Sequence, residues 1–368
     1  MVRRALHPQA RAQRSRTSSR WSAVMGASRR IERPPRRQRS PRRQRRGFPT
    51  RMRDEGRRPI LLLVNPAAGR KPGGSRAEEA RRPAQLFEAL AKNGLEVELR
   101  ELVEDDDAGQ LAMGAAEEGR DVVVAGGDGT VGPAAAALLG SAATLGIVPL
   151  GTFNNIARGA GIPTDREQAL GTIVRGRATA IDAGSAWHIA PGDSAAQPTP
   201  VDPPPEAATF FEAAGIGLDA AGFGVAEVGD RLGWLPAARA AWRTIRRRKT
   251  PLWLVVDGTR YRTASPAVTV CNGPFHGFGF ALAPEADPAD GLLDVVVFVR
   301  MGRLQVLRHF LRVARGRQVR EPRVRTLRAR HVMVGGLRHT LPAHADGRSI
   351  GATPVAVTVR PGALRIFA

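Results

Sequence analysis

The sequence predicts an α/β N-terminal domain with a doubly wound parallel sheet, followed by a mainly antiparallel second domain. Between residues 59 and 182, short apolar runs alternate with helical stretches, which is the pattern of parallel strands covered by helices. Beyond residue 182, strand-like runs follow one another with few helices between them, which is typical of antiparallel sheets. A chain of 368 residues is long enough for two such domains.

The first domain opens with a continuous apolar run at 60–64, the kind of sequence that forms a strand buried on both faces. Helix signals separate this run from the next ones, such as acidic N-cap candidates at 105–107 and a closing Gly119. We therefore predict strands at 60–64, 97–102, 121–125 and 144–150, and helices at 76–92, from 105–107 to 118, after 130, and at 164–175.

The second domain is predicted from runs rich in β-branched residues. We expect strands at 252–257, 267–271, 293–299, 330–334 and 355–359, helices at 220–248 (interrupted at Gly233) and 304–315, and a Pro-rich loop at 190–206. The domain boundary is placed after residue 182, so that 59–182 forms the first domain and 183–357 the second.

Most of the positive charge lies in the first 58 residues. The net charge is +22, and this segment holds 20 arginines against three acidic residues, which accounts for 17 of those charges. Such a segment cannot bury a core, and we expect it to be disordered. Three interpretations stay open: attraction to anionic lipid, contact with nucleic acid phosphates, or an extension without function whose true start is Met25 or Met52. No specific nucleic acid partner is expected.

The remaining composition favours a cytoplasmic protein. The single Cys271 excludes an internal disulfide and a cysteine-based zinc cluster, and the Arg-rich start lacks an apolar signal segment. Tryptophans mix with a basic cluster at 231–249, which suits either an anionic membrane surface or a helix that buries its tryptophans. We expect peripheral association with the inner face of the membrane. The sequence allows a homodimer and does not determine the oligomeric state.

A glycine-rich loop, Gly126-Gly-Asp-Gly-Thr130, follows the third predicted strand and opens a helix. Glycines permit close backbone approach, and the N–H groups of a helix N-terminus attract anions such as phosphate. Asp128 inside this loop suits a shared divalent cation, or a substrate hydroxyl that must be oriented or deprotonated. Taken alone, the loop is equally compatible with a tight turn that binds nothing.

Two further polar turns follow neighbouring strands, at Asn65-Pro66 and at Gly151-Thr-Phe-Asn154. Ligands of doubly wound sheets bind beyond the carboxyl ends of the strands, so we predict that the three turns meet in one site. An ordinary capped strand-to-helix turn is the alternative for 151–154.

Four motifs together resemble the diacylglycerol kinase catalytic family, which includes bacterial diacylglycerol kinases, YegS-like relatives and sphingosine kinases. They are Asn65-Pro-Ala-Ala-Gly69, the 126–130 loop, Pro149-Leu-Gly-Thr-Phe-Asn-Asn-Ile-Ala-Arg158 and Asp290-Gly-Leu-Leu-Asp294, within a resemblance that covers about residues 59–368. It implies an ATP-binding α/β domain, a β-sandwich lipid domain, a nucleotide cleft between them, and a last strand near 358–368 that returns to the first domain.

The resemblance also implies roles for individual residues. ATP would contact Asn65, Gly69, Gly126, Gly127, Asp128, Gly129, Thr130, Gly151, Thr152 and Asn154. A structural Mg²⁺ would be held by Asp290, with carbonyl oxygens near Asp287 and Leu292, although a plain hairpin turn also explains Asp290-Gly291. Asp219 would orient the acceptor hydroxyl, or would simply cap a helix.

The chain departs from the family pattern at three informative positions. Family members usually carry Asp-Gly-Glu near the C-terminus, with the Glu a candidate base, whereas this chain has Asp346-Gly347-Arg348. A guanidinium cannot accept a proton, so Asp128 first, or Asp346 second, would serve as the catalytic carboxylate, or catalysis is weak. Asn155 stands where many members have Asp, and Glu212 where Asn is frequent.

We therefore expect an ATP- and Mg²⁺-dependent lipid kinase that acts at the membrane surface on a hydroxyl of diacylglycerol or a related lipid alcohol. Two rivals stay open. One is a catalytically weak or silent lipid- or nucleotide-binding member of the family, motivated by Arg348. The other is an NAD kinase, which shares the Gly-Gly-Asp-Gly loop.

Overall fold

The computed structural model describes residues 29–30, 57–69, 76–189, 202–220, 250–314 and 321–368. The first part contains β1 (Arg29–Arg30), β2 (Ile60–Val64), α1 (Arg76–Ala91), β3 (Val97–Glu101), α2 (Ala108–Glu117), β4 (Asp121–Gly126), α3 (Asp128–Ala137), β5 (Thr144–Pro149), α4 (Asn155–Gly159), α5 (Arg166–Arg175) and β6 (Ala178–His188). The second contains β7 (Ala208–Phe210), β8 (Ala213–Gly217), β9 (Pro251–Val256), β10 (Thr259–Ala264), β11 (Ala267–Cys271), β12 (Phe275–His276), β13 (Phe280–Ala281), β14 (Leu293–Phe298), α6 (Arg303–Ala314), β15 (Val324–Ala329), β16 (His331–Gly336), β17 (Pro342–Ala345), β18 (Arg348–Ala352) and β19 (Val355–Phe367).

Several expectations concern residues outside this described part. They are the disorder of 1–58 (except at 29–30 and 57–58), the helix at 220–248 beyond Ala220, and most of the Pro-rich loop at 190–206.

The first domain is a doubly wound parallel sheet, as predicted. Its strands lie in the order β3-β2-β4-β5, and every pair is parallel. The alternating side chains of β2 point to two cores: Leu62 packs with Leu86 and Leu90 of α1, whereas Leu63 packs against α2 and α3. Because both faces are covered, the strand is apolar throughout, which is why its sequence was recognisable.

The second domain is an antiparallel β-sandwich. One sheet has the order β15-β14-β11-β8-β17-β18, and the other contains β10-β9-β16-β19, with β6 and β7 on a branch. The core between the sheets is formed by inward side chains such as Leu254, Val268, Val295 and Val332.

The last strand joins the two domains into one sheet. Strand β19 pairs antiparallel with β16 at its start and with β6 over most of its length. At its end Arg365 and Ile366 also pair in parallel with Thr144 and Leu145 of β5. Strand β6 runs across residue 182, so the chain passes between the domains inside a strand rather than through a linker.

None of the helices in the described ranges combines the length and the apolar composition that are needed to cross a lipid bilayer.

Candidate active site between the two domains

The three strand-end turns lie together at the carboxyl edge of the first-domain sheet. Asn65 follows β2, and its backbone N–H donates to Ala125 at the end of β4 over 2.9 Å. Its side-chain Nδ2 donates to the hydroxyl of Thr130 in α3, also over 2.9 Å. Asn65 therefore ties the first turn to the glycine-rich loop.

The glycines are required because the turns touch through their backbones. A Cβ placed on Gly151 would lie 2.6 Å from the Cα of Gly127, and a Cβ on Gly127 would lie 3.1 Å from the Cα of Gly151. Gly69 has a φ of +67°, and a Cβ there would overlap the carbonyl group of Leu150. No other residue type allows all three turns to come this close.

The side chain of Asn154 stabilises the turn after β5 by hydrogen bonds to the backbone of the same turn. It adopts a left-handed conformation with φ of 49°, its Oδ1 accepts a hydrogen bond from the Gly151 N–H, and its Nδ2 donates to the Gly151 carbonyl, both at 2.8 Å. The amide is therefore engaged inside the turn. By contrast, Thr152 and Gly129 are exposed, and a Cβ on Gly129 would meet nothing within 4 Å.

Asp128 connects the glycine-rich loop to the next helix. Its carboxylate accepts hydrogen bonds from the backbone N–H groups of Asn155 (3.0 Å) and Ile156 (3.1 Å). These donors lie at the start of α4, where N–H groups have no partner within the helix. Asp128 thus caps α4 from outside and holds the turn at 151–154 against the loop at 126–130.

Asp346 in the second domain likewise holds a separate backbone segment in place through its carboxylate. It lies in the tight turn between β17 and β18 with φ of 43°, and its carboxylate accepts backbone hydrogen bonds from Phe211, Glu212 and Ala213 at 2.7, 3.0 and 3.0 Å. The neighbouring Arg348 is exposed and donates to the carbonyl of Thr209 over 3.3 Å. Asp346 therefore fixes the segment that precedes β8.

Glu212 is the site residue that sequence reasoning did not select, although its departure from the family pattern was noticed. It is 9% exposed, and its Oε2 accepts hydrogen bonds from Asn155 Nδ2 and from the Gly277 N–H, both at 3.0 Å. Burial raises the pKa of Glu212 to about 8, the charge of Asp346 adds to the rise, and the charge of His276 opposes it. Asn155 belongs to the first domain and Gly277 to the second, so this carboxyl group lies where the two domains meet.

A buried cluster of Asp219, His276 and His344 lies beside Glu212. Asp219 accepts a hydrogen bond from the Thr269 hydroxyl (2.6 Å), and its other oxygen is 3.2 Å from His276 Nε2. Burial lowers the pKa of His276, but the charge and hydrogen bond of Asp219 outweigh it and raise this pKa to about 9. The same pairing overcomes burial and holds the pKa of Asp219 well below its usual range. Asp219 is therefore an ionised partner of an imidazolium rather than a simple helix cap.

The donor atoms of this cluster lie within 4.8 Å of one another, which is close enough to share a metal ion. However, His344 Nδ1 accepts a hydrogen bond from the Gly347 N–H over 3.1 Å, so its Nε2 carries the proton and faces Asp219 at 3.9 Å. A protonated nitrogen has no lone pair for a metal. The cluster is better explained as an ion-pair network.

The predicted metal loop at 287–292 directly precedes β14 of the second domain. Asp182 of β6 anchors the loop by accepting a hydrogen bond from the Gly291 N–H over 2.7 Å. Asp290 accepts one from the Leu292 N–H (3.0 Å), and its other oxygen contacts the guanidinium of Arg328. The carbonyl oxygen of Asp287 accepts a hydrogen bond from the Asp290 N–H over 3.3 Å. The loop offers only oxygen donors, which suit Mg²⁺.

Comparison with known proteins identifies the fold and the family. The model of the diacylglycerol kinase catalytic domain matches residues 59–186, and that of the YegS C-terminal NAD kinase beta sandwich-like domain matches residues 216–368. A diacylglycerol kinase of Mycobacterium tuberculosis is 30% identical over 321 residues, which cover 84% of this chain and 94% of the relative. The chain belongs to the diacylglycerol kinase family.

Other relatives agree with this family assignment. A YegS-like lipid kinase of Cronobacter sakazakii is 42% identical over 98 residues, covering 25% of this chain and 33% of the relative. The crystal structure of a Bacillus anthracis diacylglycerol kinase superposes with a TM-score of 0.62, covering 84% of this chain and 96% of that one. Since its sequence identity is 22%, this likeness concerns the fold. The resemblance inferred from the sequence motifs is thus confirmed for the family and for both domains.

Proposed function

We propose that this member of the family is an ATP-dependent lipid kinase that phosphorylates a hydroxyl of diacylglycerol or a related lipid alcohol. The observation that carries the proposal is the backbone contact between Gly127 and Gly151, which brings the glycine-rich loop and the turn after β5 to one edge of the sheet. Family membership supplies the kinase chemistry, and this edge offers the place for a phosphate chain.

Phosphate binding is supported by the N-terminus of α3. This helix has ten residues and begins at Asp128, directly after Gly127. Backbone N–H groups and the helix dipole at such an end favour anions. The carboxylate of Asp128 would oppose a phosphate, but its charge is engaged by the N–H groups that begin α4. Positioning and charge neutralisation are the main requirements of phosphoryl transfer.

The proposed structural Mg²⁺ belongs to the loop at 287–292. Asp290 and the carbonyl oxygens of Asp287 and Leu292 would hold it, and the ion would fix the loop that Asp182 already anchors. Because Arg328 contacts Asp290, a cation there would compete with this guanidinium.

An apolar substrate is supported by exposed aromatic rings beside the site. Phe153 lies in the turn after β5 and is 38% exposed; Phe278 is 58% exposed, and the two rings meet edge to face with centroids 5.7 Å apart. Phe278 also contacts Phe280 at 6.0 Å. Exposed apolar clusters of this kind mark interaction surfaces, and here they suit an acyl chain.

We further propose that anionic lipid attracts the protein to the membrane surface through its basic segments. The arginine-rich tail and the Trp-containing cluster at 231–249 provide the charge, and both lie almost entirely outside the described residues. Sedimentation with phosphatidylcholine vesicles, with and without phosphatidylserine, tests this part. We expect binding only with phosphatidylserine, and equal binding to both would contradict it.

The proposed activity is tested by incubating the purified chain with γ-labelled ATP, Mg²⁺ and diacylglycerol in mixed micelles, and in parallel with NAD. We expect label in phosphatidic acid and none in NADP. Label in NADP alone would favour an NAD kinase. If neither acceptor, nor a total lipid extract, is labelled although ATP binds, the chain would be a catalytically silent member, which the exposed Arg348 in the Asp-Gly-Glu position favours as second candidate.

A further inference from the structure

We propose that Glu212 is the proton acceptor for the lipid hydroxyl, and that it supplies from β7–β8 the base which the Asp346-Gly347-Arg348 turn lacks. The inference rests on the proposed lipid kinase activity and adds a residue to it. The sequence marked Glu212 only as a departure from the family pattern, and its place in the fold is what points to this role.

Glu212 lies at the junction between the phosphate edge and the second domain. Asn155 links it to the glycine-rich loop, because the Asn155 N–H donates to Asp128 while its side-chain amide donates to Glu212. On the other side, the Gly277 N–H donates to the same Glu212 oxygen. Both bonds from the described residues end on Oε2, and Oε1 receives none from them. One oxygen thus holds the group in place, and in the proposed step the other takes the proton of the lipid hydroxyl.

The other carboxylates near this junction have both oxygens engaged. Asp346 accepts backbone hydrogen bonds on Oδ2 from Phe211 and on Oδ1 from Glu212 and Ala213, and Asp128 accepts one on each oxygen. Burial raises the pKa of Asp346 as well, but neither of its oxygens is left for a substrate proton. Asp219 accepts from the Thr269 hydroxyl on one oxygen, and its other oxygen lies 3.2 Å from His276 Nε2. The three carboxylates that sequence reasoning selected are therefore positioning groups.

Glu212 has the proton affinity that a base needs near neutral pH. Its pKa is raised to about 8, first by burial and then by the charge of Asp346, with a smaller contribution from Asp128. His276, whose Nδ1 lies 3.8 Å from Oε2, opposes the rise. A general base works best when its pKa lies near the working pH, because it must be deprotonated and yet hold the proton that it removes.

The proposed proton transfer to Glu212 and phosphoryl transfer from ATP need no further reactant. The lipid hydroxyl transfers its proton to the Glu212 carboxylate as its oxygen forms a bond to the γ-phosphorus. The bond from that phosphorus to the bridging oxygen breaks, and its electron pair leaves with ADP. The Glu212 carboxylic acid then returns its proton to solvent.

The test compares Glu212→Gln with wild type, with Glu88→Gln as a matched control on an exposed glutamate of α1. Since general base catalysis contributes about 10²- to 10⁴-fold, we expect kcat for lipid phosphorylation to fall by about 10²- to 10³-fold, with little change in the KM for ATP. Wild-type kcat/KM should rise about tenfold per pH unit below an inflection near 8, and the Gln variant should lose this inflection. A purely structural role would not move a pH profile in this way.

Three results would overturn the proposal while leaving lipid kinase activity intact. They are a Glu212→Gln variant within threefold of wild type, an inflection that persists in that variant, and a wild-type profile that is flat between pH 6 and 9. The last measurement needs no variant and decides the question even if Glu212→Gln fails to fold. Wild type that labels no lipid at any pH would instead remove the proposed function itself.

Discussion

Replacing Glu212 with Gln should change how the stability of the protein depends on pH. The folded chain holds a proton on Glu212 up to a pKa of about 8, whereas the ordinary value is 4.5. Between these values unfolding releases that proton, so the contribution of Glu212 to stability is present below pH 4.5 and is lost as the pH rises through 8. The slope is about 1.4 kcal/mol per pH unit. From pH 5.5 to 7.5, wild type should therefore lose about 3 kcal/mol relative to the Gln variant, which has no proton to release.

The assay is urea denaturation of both proteins at pH 5.5, 6.5 and 7.5, with the difference in free energy of unfolding as the readout. Taking the difference removes the contributions of groups that do not interact with Glu212, whereas His276 and Asp346 interact with its charge and contribute to the difference. Glu88→Gln, at an exposed position, should show no such trend. A wild-type-minus-Gln difference that stays constant over the three pH values would refute the claim that Glu212 is held protonated by its surroundings.

Four further substitutions test other parts of the site. Asp128→Asn should remove the charged cap of α4, lower stability by about 1–2 kcal/mol in thermal or chemical denaturation, and reduce lipid phosphorylation at least tenfold; full activity would contradict its positioning role. Asn154→Ala should remove both hydrogen bonds to Gly151 and weaken ATP binding without unfolding the second domain, which a calorimetric titration and circular dichroism would check. Arg328→Gln should increase the thermal shift produced by Mg²⁺, because the competing guanidinium is gone. Asp290→Asn should abolish that shift. Equal shifts in both variants would show that the ion binds elsewhere.

The sequence predicted the first domain well because its strands carry their own signals. Strands β2, β4 and β5 are buried on both faces, so apart from Asp121 and Thr144, which begin β4 and β5, their residues are apolar. The strands of the second domain were harder to predict from the sequence. Strand β8 reads Ala-Ala-Gly-Ile-Gly and β17 reads Pro-Ala-His-Ala, compositions with little strand propensity. Their conformation depends on pairing, of β8 with β11 and β17, and of β17 with β8 and β18.

The candidate site likewise contains parts that could be predicted from the sequence and parts that could not. The glycine-rich loop and the turn at 151–154 are contiguous motifs, so their meeting could be inferred from the order of the strands. Glu212 could not be found from its local sequence, because its properties arise from Asn155, which is 57 positions away, from Gly277, and from Asp346, which is 134 positions away. The signal that existed was the joint departure at Asn155 and Glu212, whose contact only the structure reveals.

We propose that the turns which touch through glycine backbones form one binding site for a triphosphate. The decisive experiment is titration calorimetry of MgATP into wild type, Gly151→Ala and Gly114→Ala, because a Cβ on Gly151 collides with Gly127 whereas one on Gly114 meets nothing within 4 Å. We expect saturable binding to wild type and Gly114→Ala, and affinity at least tenfold weaker for a folded Gly151→Ala. Equal affinity in all three proteins, or no binding to wild type, would contradict it.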